Sequence, residues 1–282
     1  MRWQGRRGSS NIEDRRRSPA RTGGGLGIIG ILLVLGLGYV FGVDVTPLLQ
    51  GQGGAPTQQG SSELTEADRR VGQFVSVTLA DTEEVWSDIF RRQVGRPYDP
   101  AVLVLFKGVT QSPCGNASGA TGPFYCPADR KVYLDTNFFT TMERQMGAGG
   151  DFAAAYVVAH EVAHHVQNEL GILGQAHRVR SQFSPTESNA ISVRIELQAD
   201  CYSGVWARQA EARFGSLERG DIAEAMNAAK QIGDDTLQRS AGRVPQPHTF
   251  THGTSEQRQR WFARGFDSGD VTNCDTFGTE RL

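Results

Sequence analysis

The chain has no C-x-x-C pair. Its four cysteines, Cys114, Cys126, Cys201 and Cys274, are spaced too widely for a thiolate metal site. It also has no surplus of positive charge: 29 basic residues against 31 acidic ones leave a net charge of -2. The basic residues of the folded part do not gather into a patch, which excludes nucleic acid as the default partner. No segment repeats, and one stretch, residues 25–43 (GLGIIGILLVLGLGYVFGV), lacks any charged or strongly polar side chain.

That stretch is long enough to matter. Nineteen residues rising about 1.5 Å each span roughly 28 Å, close to the hydrocarbon thickness of a bilayer. Before it stand Arg2, Arg6, Arg7, Arg15, Arg16, Arg17 and Arg21 against only Glu13 and Asp14, and the next basic residue is Arg69. The positive-inside rule then gives a basic cytoplasmic tail over 1–24, a transmembrane helix over 25–43 and translocation of everything beyond. A cleaved signal peptide is the rival reading, although the exit FGVDVTPLLQ offers no A-x-A site. An extracytoplasmic location suits two disulfides. Cys114 and Cys126 bracket a short Gly-rich loop, which leaves Cys201 and Cys274 as the second pair, yet four cysteines allow three connectivities.

Residues 44–62 include the run QGQGGAPTQQGSS and read as a flexible linker. The folded domain is expected over 63–282. Helical spacing at Val71, Phe74, Val75, Val85, Ile89 and Phe90 opens it, AVLVLF (101–106) reads as a buried strand, and FYC with KVYLD reads as a hairpin. KVYLD is either an edge available to an extended substrate or a plain interior strand. A short helix follows Asn137. From Asp151, which is placed to cap the next helix, the chain reads as helical almost throughout, with a long helix near 186–214 and shorter ones near 217–231, 233–241 and 254–268. A small N-terminal sheet followed by a helical half is an α+β arrangement.

Within AAAYVVAHEVAHHVQNELG (153–171), His160, Glu161 and His164 form an H-E-x-x-H pattern. Residues four apart share one helical face, so His160 and His164 aim at one point, as two ligands of a tetrahedral Zn2+ must. Glu161 is turned by about 100° from the ligand position, which suits a general base acting on a water that zinc polarises. The plain alternative is a buried helix with two satisfied histidines. A catalytic zinc wants a third protein ligand. In RIELQADCYSGVWA, Glu196 and Asp200 stand one turn apart on the second long helix: Glu196 is the candidate third ligand, and Asp200 the candidate acceptor for the outer N–H of a ligand histidine. Their flanks, Ile195, Leu197, Ala199 and Val205, are too apolar for a solvated acidic face. Gln167 and Leu170 stand where a metzincin continues with glycine and histidine, so that subclass is excluded.

H-E-x-x-H followed by a separate E-x-x-x-D helix resembles the gluzincin class of zinc metallopeptidases. More narrowly, AHEVAHHVQ, ELQADCYSGVWA and HGTSEQRQRWF resemble the bacterial neutral zinc metallopeptidase family, single-pass proteins with an Arg-rich N-terminus. The resemblance implies a zincin-like metalloprotease domain preceded by one transmembrane helix, at the bacterial cytoplasmic membrane with the N-terminus inside and the catalytic domain outside. It implies Zn2+ held by His160, His164 and Glu196, Glu161 as catalytic acid/base, and a protein or peptide substrate.

THGTSEQR resembles the T-H-P-x-x-x-x-R segment of membrane-associated gluzincins, with Gly253 in the place of proline. His252 is therefore a second catalytic candidate, as a donor to the oxyanion, or else Thr254 or Ser255 merely caps a helix there. His165 is rotated away from the pair, His177 and His248 fall in loops, and Tyr156 reads as core. The leading expectation is a membrane-anchored zinc endopeptidase. The competing ones are an inactive zinc-stabilised scaffold and a zinc amidase acting on a cell-wall component.

Overall fold

The computed structural model describes residues 1–17, 63–118 and 122–282. Residues Met1–Arg16 and Thr65–Leu282 form one compact unit. The expected tail, 1–24, is therefore divided: its first sixteen residues belong to the folded unit. The apolar run 25–43 and the linker 44–62 lie outside the described residues, and among the described ones no helix is long and apolar enough to cross a membrane.

The sheet has the order β1 (Ile12–Asp14), β2 (Val102–Phe106), β6 (Lys131–Asp135), β5 (Phe124–Cys126). β1 and β6 run parallel to β2, and β5 runs antiparallel to β6. Parallel neighbours need burial on both faces, and β2 meets that need, with Leu103 through Phe106 all buried. KVYLD is thus interior, and FYC is one of the two edge strands, β1 being the other. A second ribbon, β3 (Val109–Ser112) with β4 (Gly115–Ser118), is tied to β5 by the Cys114–Cys126 disulfide.

The helices start where the sequence satisfies their first amides. Thr65 with Asp68 makes a capping box for α1 (Glu66–Ile89), which runs on as a π-turn to Val94. Ser184 with Glu187 does the same for α5 (Pro185–Phe214), helped by Pro185 in the first turn, and Thr254 with Gln257 for α8 (Ser255–Ser268). α2 (Asn137–Met146) and α3 (Asp151–Glu169) follow the sheet. α3 is apolar all round and accordingly lies in the middle, with Phe152 to Ala163 buried. Its N-cap is Gly150, not Asp151. The Asp151 carboxylate instead pairs with the α-ammonium of Met1 at 2.9 Å, so it serves a distant residue rather than its own helix. α4 (Ile172–Arg180), unforeseen in the sequence reading, follows the left-handed turn at Gly171. α6 (Asp221–Gln231) and α7 (Asp234–Ser240) complete the helical half.

One crossing positions the site. α8 packs on α5 at glycines: a Cβ on Gly204 would lie 2.1 Å from the Phe262 carbonyl oxygen, and one on Gly265 would lie 1.9 Å from that of Cys201. Backbones this close leave no room for any side chain at either position. The Cys201–Cys274 disulfide ties the C-terminal tail to the same stretch of α5.

Candidate metal centre

α3 presents His160 and His164, and α5 presents Glu196 between them. His160 Nε2 lies 3.1 Å from Glu196 Oε2, and His164 Nε2 lies 3.5 Å from Glu196 Oε1. One donor atom from each of the three falls within 4.8 Å of the others. Ligands on a tetrahedral zinc with bonds of about 2.0–2.1 Å sit roughly 3.3 Å apart, so these separations fit that ion. The donor set attracts positive charge. Burial opposes the charged forms of all three, yet the His164 and His160 imidazoles hold the Glu196 carboxyl well below its usual range. Against the same burial, Asp200 and Glu196 hold His160 up at about 10, and Glu196 raises His164.

Each histidine has a buried partner on its outer nitrogen. His164 Nδ1–H donates to Gln167 Oε1 at 2.9 Å, and Gln167 is itself fixed by donating to the Ile195 carbonyl and to Gln198 Oε1. His160 Nδ1 lies 3.0 Å from Asp200 Oδ1, in ionic contact but off the line of a hydrogen bond. That oxygen already accepts from Tyr156 Oη at 2.5 Å and from Arg258 Nη2 at 3.0 Å. Partners of this kind orient ligating imidazoles and set their tautomer. Tyr156, read as core, is indeed buried but also takes part in this network. Gln167 is detectable in hindsight as the i+3 neighbour of His164, whereas nothing in the sequence pairs Arg258 with Asp200.

Glu161 is buried, and burial raises its carboxyl while the two histidines pull it back. It lines a cavity of about 870 Å³ together with the three candidate ligands. Apolar walls come from Phe124 and Tyr125 of the edge strand, Met146, Leu173, Ile195 and Leu237, and His177, assigned no role from sequence, faces the same space. His165 does point elsewhere, bonded to Tyr125 Oη and the Asp99 carbonyl.

His252 also lines the cavity, on a turn built around Asp234. The Asp234 carboxylate accepts from the backbone amides of Thr251, His252 and Gly253 and from His252 Nδ1 at 3.2 Å. Against burial, His252 and those amides keep Asp234 below the usual carboxylate range, and Asp234 in turn raises His252. Thr254 meanwhile caps α8, as the plain reading of this segment has it, while His252 lines the cavity. Gly253 has φ of 92°, which proline cannot adopt, so the turn differs from the T-H-P pattern it resembles.

The family model described as "Putative neutral zinc metallopeptidase" matches residues 1–277. The chain belongs to that family. It is 47% identical over 289 residues to "Uncharacterized protein YpfJ" of Escherichia coli K12, covering 99% of both chains. It is 41% identical over 227 residues to "Uncharacterized protein Rv2575" of Mycobacterium tuberculosis H37Rv, covering 77% of this chain and 74% of that one. No solved structure matches it.

Proposed function

We propose that this chain is a zinc-dependent peptidase, with His160, His164 and Glu196 holding the ion and Glu161 acting as general base. The observation that carries the reading is the convergence of those three donors beside a buried glutamate in one apolar-walled cavity. A bound Zn2+ would supply Lewis acidity toward a carbonyl and lower the pKa of a water beside it. Glu161, offset from the ligand face and raised by burial, accepts a proton and returns it to the departing amine. Asp200 and Gln167 hold the imidazoles in place. His252, held toward the imidazolium by the hydrogen bond of Nδ1–H to Asp234, keeps its Nε2–H to donate to the developing oxyanion. The edge strand β5, which also lines the cavity, is placed to offer backbone partners to an extended peptide. The apolar run 25–43 is the segment we assign to the lipid bilayer.

The test is full-length protein in detergent, wild type against Glu161→Gln, given an unfolded protein substrate with bound metal measured in both. Zinc in both proteins with cleavage by wild type alone is expected. Cleavage by Glu161→Gln at the wild-type rate would remove Glu161 as the base. Zinc in both with cleavage by neither would favour a binding role for the metal site.

A further inference from the structure

We infer that residues 1–16 and residues 65–282 share one compartment, so the run 25–43 does not pass once through a bilayer lying between them. This inference takes from the reading above only the assignment of 25–43 to lipid.

The first residues are built into the catalytic unit. β1 pairs with β2 in the register Ile12 to Leu103, Glu13 to Val104 and Asp14 to Leu105. The Leu103 amide donates to the Asn11 carbonyl at 2.9 Å, and the Arg15 amide to that of Leu105 at 2.7 Å. Trp3 is buried with its ring edge-on to Phe74, 5.5 Å between centroids. At the start, the Met1 ammonium sits among Asp151, Glu218 and Asp221.

The arginines that suggest a cytoplasmic tail are spent on the same docking. Arg6 forms a two-pronged pair with Asp81, Arg7 pairs with Glu84, and Arg2 donates to the Leu217 carbonyl. Arg15 and Arg16 pair with Glu13 and Asp14 beside them. A positive-inside count assumes basic side chains left facing the cytoplasm. Of the seven, only Arg17 and Arg21 lie outside Met1–Arg16.

Arg16 is also a neighbour of the first turns of α1 within the compact unit. The Arg16 guanidinium donates to the Asp68 carbonyl and lies against Gly72, where a Cβ would meet it at 2.5 Å. A single crossing would strip β1 from its sheet and Trp3 from the core.

The experiment uses the full-length chain in intact bacterial cells. Every cysteine among the described residues is in a disulfide, and the sequence contains only those four. Ser10→Cys and Gln145→Cys, both at exposed positions, therefore each introduce one thiol for a membrane-impermeant maleimide. Labelling of both sites under the same condition, before or only after permeabilisation, is expected. Labelling of one site alone in intact cells overturns the inference. A Cβ on Gly8 would lie 3.4 Å from Ser76 Cβ, near the separation of roughly 3.5–4.5 Å found across disulfides. Gly8→Cys with Ser76→Cys should accordingly cross-link within the membrane-isolated chain, and failure to oxidise while both thiols remain reactive would overturn the docking. A carbonate wash of the same membranes judges the lipid assignment separately, since it reports attachment and not sidedness.

Discussion

Arg258 grips Asp200 with two bonds, Nε to Oδ2 at 2.9 Å and Nη2 to Oδ1 at 3.0 Å, and both side chains are sealed from solvent. The pair lies directly behind His160, so an interaction 58 residues apart in sequence supports the candidate metal centre. Removing one partner of a buried ion pair leaves the other charge stranded, at a cost of about 3–5 kcal/mol.

Arg258→Met should therefore lower unfolding free energy by about 3–5 kcal/mol in urea titrations and weaken zinc affinity about 10–100-fold. Arg258→Met combined with Asp200→Leu should regain much of the stability, because no charge is then stranded. Its zinc affinity should stay low, because His160 has lost its outer partner. Recovery of both properties together would show that the pair does not act through His160.

The α5–α8 crossing gives a second expectation. Gly265→Ala forces a methyl to within 1.9 Å of the Cys201 carbonyl oxygen, where only backbone movement makes space. A loss of about 1–3 kcal/mol is expected, as for other overpacked sites. Gly174→Ala is the control: inside α4 its Cβ would find nothing nearer than Arg178 Nη1 at 3.6 Å. It should raise stability by up to about 1 kcal/mol through helix propensity. Equal thermal shifts in the two variants would contradict the packing argument.

What the sequence made legible was local. The four-residue spacing of His160 and His164 dictates a shared helical face. Thr254, one of the two caps offered for the last helix, does start it, through a capping box with Gln257. The strand AVLVLF and the hairpin partners FYC and KVYLD follow from short apolar runs. The unread parts depend on pairings across long separations. Ile12–Asp14 is a three-residue strand without alternation, and Arg6 and Arg7 before it resemble a topological signal because their partners, Asp81 and Glu84, lie 75 and 77 residues away. Asp234 escaped notice because its role rests on three backbone amides of a turn 17 to 19 residues on.

That turn yields a kinetic prediction. His252→Ala removes a side chain that is about half exposed and outside the three-donor cluster, so fold and bound zinc should be unchanged. Loss of an oxyanion donor should lower kcat about 10²–10³-fold with little change in KM. Asp234→Asn should lower kcat less but also soften the turn, visible as faster amide exchange at Thr251 to Gly253. Wild-type kcat in His252→Ala would dismiss the oxyanion role.

The N-terminal docking carries a pH signature of defined sign. Burial disfavours the Met1 ammonium, but Glu218 and Asp151, with Asp221, outweigh it and lift its pKa from 8.0 to about 10. A group whose pKa is higher folded than unfolded contributes stability in full below its unfolded value and loses it as pH rises toward the folded value. The urea midpoint of the full chain should therefore fall between about pH 8 and pH 10. The double variant Glu218→Gln with Asp221→Asn should start from a lower midpoint and show a shallower fall. A flat wild-type midpoint across that interval would mean that the ammonium does not hold its carboxylates in solution, and the N-terminal docking would lose one of its anchors.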